Sequence, residues 1–260
     1  MRVMKNNSRL DIELVKREIF NSIGEAVPFI MAGEVLVNGQ VIYKRDHNIS
    51  SSDEITIKKK HEYVSRGAYK LSSAIEKFNM EVKGKKIVDI GISNGGFSDL
   101  LLQMGADSIL GIDVNTNQVD YKLRKNVRVT LLKQNARYLT KSDINFLPDL
   151  ITIDVSFISI IKILEALVKF GPIDIIALIK PQFEVEKGGS GKGGIIESPE
   201  KRVEILLNVK KSAEKAGFSV IGFTTAGIQG RKGNQEYFFY MKYGQNISID
   251  DKIIENGIKI

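Results

Sequence analysis

The stretch Lys86-Ile-Val-Asp-Ile-Gly-Ile-Ser-Asn-Gly-Gly-Phe97 decides the fold class of this chain. Its first five residues predict a mostly apolar strand, its glycines predict a tight turn, and a helix from Phe97 to Met104 is expected to follow. Glycines let the backbone approach a ligand closely, and in open parallel sheets ligands bind outside the carboxyl ends of the strands. The stretch therefore predicts a cofactor-binding strand–turn–helix unit.

Strand-like and helix-like segments alternate on both sides of this unit. A helix from Gly67 to Phe78 is expected before it, and helices from Ile158 to Lys169 and from Pro199 to Ala216 are expected after it. Further strands are expected at residues 108–114, 128–133, 150–155, 173–179, 219–224 and 236–243. Nearly continuous apolar strands that alternate with helices indicate an α/β domain with a doubly wound, mostly parallel, Rossmann-like sheet.

The first 62 residues predict a separate small α+β domain that ends in a linker. Apolar residues between Leu10 and Ile19 recur at helical spacing, and a second helix is expected to end at Gly33. Asn38-Gly39 predicts a tight turn between two short strands. We expect the larger domain to cover residues 63–245 and a polar, peripheral tail to cover residues 246–260.

The composition excludes several classes of protein and of site. None of the 260 residues is cysteine, so disulfides, cysteine zinc sites, iron–sulfur clusters and thiolate nucleophiles are excluded. No apolar run is long enough to cross a bilayer and no secretory signal is recognisable, which predicts a cytoplasmic protein.

The net charge of +7 favours an acidic partner such as nucleic acid. Residues 63–245 hold 26 basic and 19 acidic side chains, whereas residues 1–62 hold 10 and 9. The excess in the larger domain includes Lys122–Arg128 and Arg231-Lys232. The distribution predicts that the larger domain itself binds phosphate.

Residues at the expected carboxyl edge of the sheet are candidates for cofactor contacts. Asp113 lies 22 residues after Gly91, where an acid accepts hydrogen bonds from ribose hydroxyls in dinucleotide and S-adenosylmethionine sites. Ser93 occupies the place of the second glycine of G-x-G-x-x-G, which counts against a dinucleotide, and a plain tight turn is the other alternative. The candidate contacts are Asp89, Gly91, Asn94, Gly95, Gly96, Phe97, Asp113, Val114, Asn135, Ala136 and Asp154.

Charged residues stand at the ends of three other expected strands. Asp154 and Lys180 each follow an apolar strand, and Glu236 begins the last strand. Charges in such places are costly unless they are paired. A partly desolvated lysine can lose its proton and act as a general base, so Lys180 is the candidate base. Lys70 alone reads as an ordinary surface lysine.

Six motifs carry a resemblance to a known family. They are SRGAYKL (65–71), DIGISNGGFSD (89–99), DVSFIS (154–159), LIKPQFE (178–184), GKGG (191–194) and GNQEYF (233–238). In this order they resemble the TlyA, or haemolysin A, family of ribosomal RNA 2′-O-methyltransferases. The resemblance implies an FtsJ-like methyltransferase domain that uses S-adenosylmethionine, needs no metal, and methylates a ribose 2′-hydroxyl of cytidine in ribosomal RNA or ribosomal subunits.

The same resemblance implies roles for individual residues. It implies a catalytic tetrad of Lys70, Asp154, Lys180 and Glu236. Lys180 would remove the 2′-hydroxyl proton, Asp154 and Glu236 would orient and tune Lys180, and Lys70 would hold the substrate. Arg9-Leu-Asp11 and Leu36-Val-Asn-Gly39 are similar to the small RNA-binding domain of pseudouridine synthases. The expected RNA contacts are Arg9, Asn38, Arg66, Lys70, Lys192, Arg231 and Lys232.

Departures from the family pattern leave alternatives open. Ile92 and Asn94 differ mildly from the usual turn, and Ile23 follows Ser22 where the family usually has arginine. The small domain could therefore be a docking or spacer domain. Asp154-Val-Ser-Phe157 aligns with the motif of base N-methyltransferases but lacks its prolines, and the family's older name suggests a membrane-active haemolysin. The loop from Glu184 to Glu197 could be a mobile lid or a plain connection.

Overall fold

The computed structural model describes residues 7–20, 22–31, 33–57, 62–185, 189, 192–230 and 233–258. The chain divides into two compact units, residues 1–62 and residues 63–260. Within the described residues, no helix combines the length and the apolar composition that a membrane span needs.

The first unit is a small α+β arrangement with its own core. Its helices are α1 (Leu10–Lys16) and α2 (Ile23–Met31). Strands β1 (Asn7–Arg9) and β4 (Asn48–Ser50) form an antiparallel pair, and β2 (Val35–Val37) lies between β3 (Gln40–Ile42) and β5 (Ile55–Ile57). The core residues are Leu10, Leu14, Ala26, Ile30, Val35, Val37 and Ile49. The sequence does not reveal β1 (Asn-Ser-Arg) and β4 (Asn-Ile-Ser), because Ile49 is the one apolar residue in the two strands.

The second unit is a Rossmann-like α/β fold around a seven-stranded sheet. The sheet order is β11-β12-β10-β9-β6-β7-β8. The strands are β6 (Lys86–Ile90), β7 (Ser108–Asp113), β8 (Val129–Lys133), β9 (Leu150–Ile153), β10 (Asp174–Ile179), β11 (Phe218–Thr225) and β12 (Tyr237–Tyr243). β6 to β10 are parallel, which confirms the predicted fold class. β12 pairs antiparallel with both β10 and β11, so β12 is reversed and β11 again runs in the direction of the parallel strands.

The described residues of this unit form six α-helices. Two apolar clusters pack against its sheet. The helices are α3 (Gly67–Lys77), α4 (Gly96–Gln103), α5 (Tyr121–Arg124), α6 (Ile160–Leu167), α7 (Pro199–Lys215) and α8 (Asp251–Ile258). Alternate residues of β6 enter different clusters: Val88 and Ile90 join one, and Ile87 joins the other. Because β12 runs antiparallel and Tyr237 pairs with Ile179, the start of β12 lies at the carboxyl edge of the parallel strands.

The C-terminal segment differs from the expected peripheral tail. Residues 246–260 belong to the second unit, where α8 buries Ile254 and Ile258 in the core. Asp251 also accepts a hydrogen bond from Lys210 of α7 at 2.8 Å. Two isoleucines four residues apart form a helical apolar face, which the polar residues around them conceal in the sequence.

Candidate active site

Two glycines bring the elements of the site into close contact. Gly91 has a φ of 82°, and a Cβ there would collide with the carbonyl oxygen of Asp154. A Cβ on Gly96 would collide with the hydroxyl of Ser65, just before α3. The glycines therefore let the end of β6 approach the end of β9, and let the start of α3 approach the start of α4.

A cavity of about 740 Å³ lies at the carboxyl edge of the sheet. The glycine-rich turn, the start of α3, the segments after β9 and β10, and the segment before β12 supply its wall. The lining residues are Ser65, Arg66, Gly67, Lys70, Gly91, Ile92, Ser93, Asn94, Gly96, Phe97, Asp154, Ser156, Phe157, Lys180, Gln182, Phe183, Gly193, Gly194, Gln229, Asn234 and Glu236. All four expected catalytic residues are among them.

Lys180 forms an ion pair with Asp154 at the ends of two neighbouring strands. Lys180 Nζ lies 2.6 Å from Asp154 Oδ1 and donates a hydrogen bond to Ser156 Oγ at 2.9 Å. The contact with Asp154 lacks hydrogen-bond geometry, because Oδ1 accepts no hydrogen bond from the described residues. The charges are close, so we treat the contact as an ion pair. The Lys180 side chain is 11% exposed and the Asp154 side chain is 26% exposed.

Lys70 forms a second and more deeply buried pair. Its Nζ donates a hydrogen bond to Glu236 Oε2 at 2.6 Å, and the two side chains are 13% and 4% exposed. A Cβ on Gly230 would collide with Glu236 Oε1, so only glycine leaves room for this carboxylate. The expectation that Glu236 orients Lys180 is therefore not met, because Glu236 is bonded to Lys70. The sequence alone also predicts an ordinary surface lysine at position 70, whereas Lys70 is largely buried and paired.

The expected cofactor contacts fall into two groups. Gly91, Asn94, Gly96, Phe97 and Asp154 line the cavity. The rest do not line it. Asp113, partly exposed at the same edge, accepts hydrogen bonds from the backbone N–H of Ser93 at 3.0 Å and of Asn115 at 2.9 Å. Val114 and Asn135 are exposed, whereas Gly95 and Ala136 are buried.

Asp89 is not a cofactor contact, because it is completely buried. It accepts hydrogen bonds from Ser98 Oγ at 2.6 Å and from Thr152 Oγ1 at 2.9 Å. Burial raises the pKa of Asp89 to about 6, against the lowering effect of these hydrogen bonds, and the nearby charge of Asp154 adds to the rise. Asp89 therefore ties α4 to β9 inside the domain.

The expected RNA contacts are only partly free to bind. The guanidinium of Arg9 makes two hydrogen bonds to Asp11, at 3.1 and 2.6 Å. The amide of Asn38 donates to Asp53 and accepts from the Glu54 N–H, so it ties the turn after β2 to the segment before β5 and is not a free contact. Arg66 is exposed, lines the cavity and donates to the carbonyl oxygen of Gln229 at 3.2 Å.

Three expected RNA contacts cannot be placed. Arg231, Lys232 and the side chain of Lys192 lie outside the described residues. Ile23, which replaces the family's usual arginine, is 44% exposed at the start of α2. The first unit thus presents an apolar side chain at that position.

Glu184 and Asn234 connect segments of the site, and neither is among the site residues that the sequence predicts. Glu184 accepts hydrogen bonds from Ser159 Oγ at 2.7 Å and from the Ile160 N–H at 2.9 Å, so the segment after β10 is tied to the start of α6. Burial raises the pKa of Glu184. Asn234 is buried, donates to the Gly194 carbonyl at 2.9 Å and accepts from the Ile196 N–H at 3.1 Å. Their signal was their position in the LIKPQFE and GNQEYF motifs.

The site has the groups for positioning a substrate and moving a proton. Two ammonium groups, each beside a carboxylate, face one cavity that the glycine-rich turn also lines. Across the described residues, no group of three or more histidine, aspartate or glutamate side chains could hold a metal ion. The two lysine–carboxylate pairs fit proton transfer and electrostatic positioning.

Comparison with known proteins identifies the family. Residues 63–243 match the FtsJ-like methyltransferase family. The chain is 36% identical to the 16S/23S rRNA (cytidine-2′-O)-methyltransferase TlyA of Mycobacterium tuberculosis, over 98% of this chain and 97% of that protein. It is 40% identical to Hemolysin A of Brachyspira hyodysenteriae, over 88% of this chain and 97% of that protein.

A solved structure agrees with these relatives. A protein from Streptococcus thermophilus that carries the name hemolysin matches with a TM-score of 0.75 and 35% identity, covering 99% of this chain and 96% of that one. Sequence and structure agree along nearly the whole length, so the chain belongs to the TlyA (hemolysin A) family, whose larger domain is an FtsJ-like methyltransferase domain.

Proposed function

We propose that this protein transfers the methyl group of S-adenosylmethionine to the ribose 2′-hydroxyl of a cytidine in ribosomal RNA. The observation that carries the proposal is Lys180, held by Asp154 and Ser156 in the cavity that the glycine-rich turn also lines. The name of the tuberculosis relative supports a ribose 2′-hydroxyl as the methyl acceptor and cytidine as the nucleoside.

The residues of the turn fit the proposed cofactor. Gly91 and Gly96 let the turn pack directly against Asp154 and Ser65, and the backbone of both glycines lines the cavity. Asp113 holds the turn through the Ser93 N–H and keeps acceptor capacity for ribose hydroxyls. When bound, S-adenosylmethionine supplies a methyl group that a sulfonium makes electrophilic.

Lys180 is the proposed proton acceptor. The 2′-oxygen must lose its proton as it bonds to the methyl carbon and the bond from sulfur to that carbon breaks. Lys180 Nζ takes this proton as the general base. The carboxylate of Asp154 stabilises the resulting ammonium, and the exposed hydroxyl of Ser156 offers a route by which the proton returns to solvent.

The pair of Lys70 and Glu236 is proposed to hold the reacting groups in place. Its short hydrogen bond and deep burial fix the Lys70 ammonium at the cavity wall. A fixed positive charge there can position the oxygens of a nucleotide without taking part in proton transfer.

We further propose that the first unit positions the RNA. Its near balance of 10 basic and 9 acidic side chains gives little general attraction for phosphate. The bonded Asn38 and the exposed Ile23 leave less RNA-binding surface there than the family pattern implies. The larger unit must therefore supply most of the electrostatic attraction.

The proposal is tested by methyl transfer from labelled S-adenosylmethionine to ribosomal subunits and to protein-free ribosomal RNA, followed by nucleoside analysis. We expect the label in 2′-O-methylcytidine. A label on a nucleobase would indicate base N-methylation instead, and no transfer to either acceptor would remove the proposed substrate.

A further inference from the structure

Most of the net charge of this protein is concentrated in one short segment. Residues 114–141 contain seven basic side chains and one acidic side chain, Asp120. All seven basic residues are exposed. They are Lys122, Arg124, Lys125, Arg128, Lys133, Arg137 and Lys141.

The segment surrounds the exposed edge of the seven-stranded sheet. β8 is the last strand of the sheet and pairs only with β7. Lys133 ends β8 opposite Asp113, at the carboxyl edge where the cavity also lies. Tyr121 begins α5, and Arg137 and Tyr138 follow the end of β8. We call the exposed side chains of residues 114–141 the basic edge.

The positive charge of the basic edge is largely uncompensated. Among the described residues, Lys122 is the one member with a salt bridge, 3.1 Å from Asp99. Arg124 and Arg128 donate to the backbone carbonyls of Asn117 and Ala106, which carry no net charge. The basic edge therefore presents a positive field to solvent.

Exposed aromatic rings accompany these charges. Tyr121 is 67% exposed, and Lys125 Nζ lies 4.5 Å from the centre of its ring. Tyr138 is 62% exposed, and Arg137 lies 5.7 Å from the centre of its ring. Rings stack on unpaired bases while neighbouring cations contact phosphates, so this combination suits RNA.

We infer that the basic edge binds the phosphate backbone of the RNA that flanks the methylated nucleotide. The inference rests on the proposed function and names a substrate contact that the catalytic tetrad does not provide. The excess positive charge complements phosphate, and Lys133 at the end of β8 lies at the same carboxyl edge of the sheet as the cavity.

The test compares two variants with equal changes of charge. One is Lys125→Gln with Lys133→Gln on the basic edge. The matched control is Lys211→Gln with Lys215→Gln, two exposed lysines of α7. Binding of protein-free ribosomal RNA to the full-length proteins is measured by filter retention between about 50 and about 300 mM potassium chloride.

We expect the basic-edge variant to bind less tightly and with a weaker dependence on salt. The binding constant K falls as salt rises, so the slope of log K against log salt is negative. Each lost phosphate contact reduces the magnitude of this slope by about 0.7 to 0.9, and two lost contacts reduce it by about 1.5. The control is expected to keep the wild-type slope. An unchanged slope in the basic-edge variant, an equal loss in the control, or no RNA binding by the wild type overturns the inference.

Methyl transfer is measured separately, so that the two proposals can fail independently. A lowered salt slope without any methyl transfer supports the basic edge and rejects the proposed reaction. Normal methyl transfer with an unchanged slope supports the reaction and rejects the basic edge. In the active case we expect the basic-edge variant to raise KM for RNA and to leave kcat within about two-fold, because phosphate contacts contribute mainly to binding.

Discussion

The two lysine–carboxylate pairs of the cavity differ in burial and in bonding. Lys70 and Glu236 are 13% and 4% exposed and share a short, well-directed hydrogen bond. Lys180 contacts Asp154, which is 26% exposed, without hydrogen-bond geometry, and it also donates to the exposed Ser156. The two lysines are about equally buried, but Glu236 is nearly closed to solvent whereas Asp154 and Ser156 have access to it.

The difference suggests a division of work between the pairs. A pair that shares a short hydrogen bond and buries its carboxylate keeps its geometry, because separating the charges leaves Glu236 unpaired in the interior. A lysine with an exposed hydroxyl partner can exchange protons with water. We therefore assign positioning to Lys70 and Glu236, and proton transfer to Lys180.

The largest expected effect distinguishes proton transfer from mere charge. Lys180→Arg keeps a cation beside Asp154, but a guanidinium does not deprotonate in proteins. We expect the single-turnover rate of methyl transfer to fall at least about 100-fold. An arginine variant with near wild-type rate would show that Lys180 acts through its charge alone.

Breaking the buried pair is expected to affect stability more than breaking the open pair. Lys70→Met leaves Glu236 buried without its cation, at a cost of about 3–5 kcal/mol in the free energy of unfolding. Lys180→Met is expected to cost less, because Asp154 retains contact with water. Urea unfolding measures both, and equal losses would contradict the comparison. Lys70→Met combined with Glu236→Leu should recover stability without recovering activity.

Asp89 is also a buried carboxylate, and its side-chain partners are the uncharged hydroxyls of Ser98 and Thr152. Its pKa is raised from 3.8 to about 6, so the folded state holds this proton more tightly than the unfolded chain. Its contribution is favourable below about pH 4 and is lost as the pH rises through about 6, which lowers the free energy of unfolding by about 3 kcal/mol. As the pH rises over this range, the free energy of unfolding of the wild type should fall relative to that of Asp89→Asn. A pH-independent difference would contradict the assignment.

The smallest expected effect concerns the hydroxyl beside Lys180. Ser156→Ala removes one hydrogen-bond partner of Nζ, which is worth about 1 kcal/mol, so kcat is expected to fall about five- to ten-fold with KM nearly unchanged. Ser156→Thr keeps the hydroxyl and should retain most of the rate. If both variants behave alike, the hydroxyl has no role in the reaction.

The sequence predicts the sheet well because its signals are local. The run from Lys86 to Ile90 is apolar and the turn after it is rich in glycine, so the bounds of β6 agree with the structure. The sequence also predicts that Asp154 and Lys180 share one edge, because the carboxyl ends of parallel strands meet there. Glu236 begins its strand and reaches the same edge because β12 runs antiparallel, which the sequence does not predict. In contrast, α8 is hidden, since only two isoleucines mark its buried face.

Side-chain partners are less predictable than strands. Lys70 and Glu236 are separated by 166 positions, and no local pattern reveals that they bond to each other. Asp89 stands next to the glycine-rich turn like a ligand contact, but its direction into the core depends on Ser98 and Thr152. Asn38 likewise matches an RNA-binding motif, while its amide binds Asp53 and Glu54 in the segment before β5.

We propose that the amine of Lys180 removes the ribose proton. The most direct measurement is the single-turnover rate of methyl transfer by Lys180→Ala with and without added ethylamine, with RNA and cofactor affinities measured in the same samples. We expect Lys180→Ala to keep its RNA and cofactor affinities and to react at least about 100-fold more slowly than wild type. Its rate should recover in part as the concentration of free amine increases. A Lys180→Ala rate close to wild type without the amine would contradict the proposal.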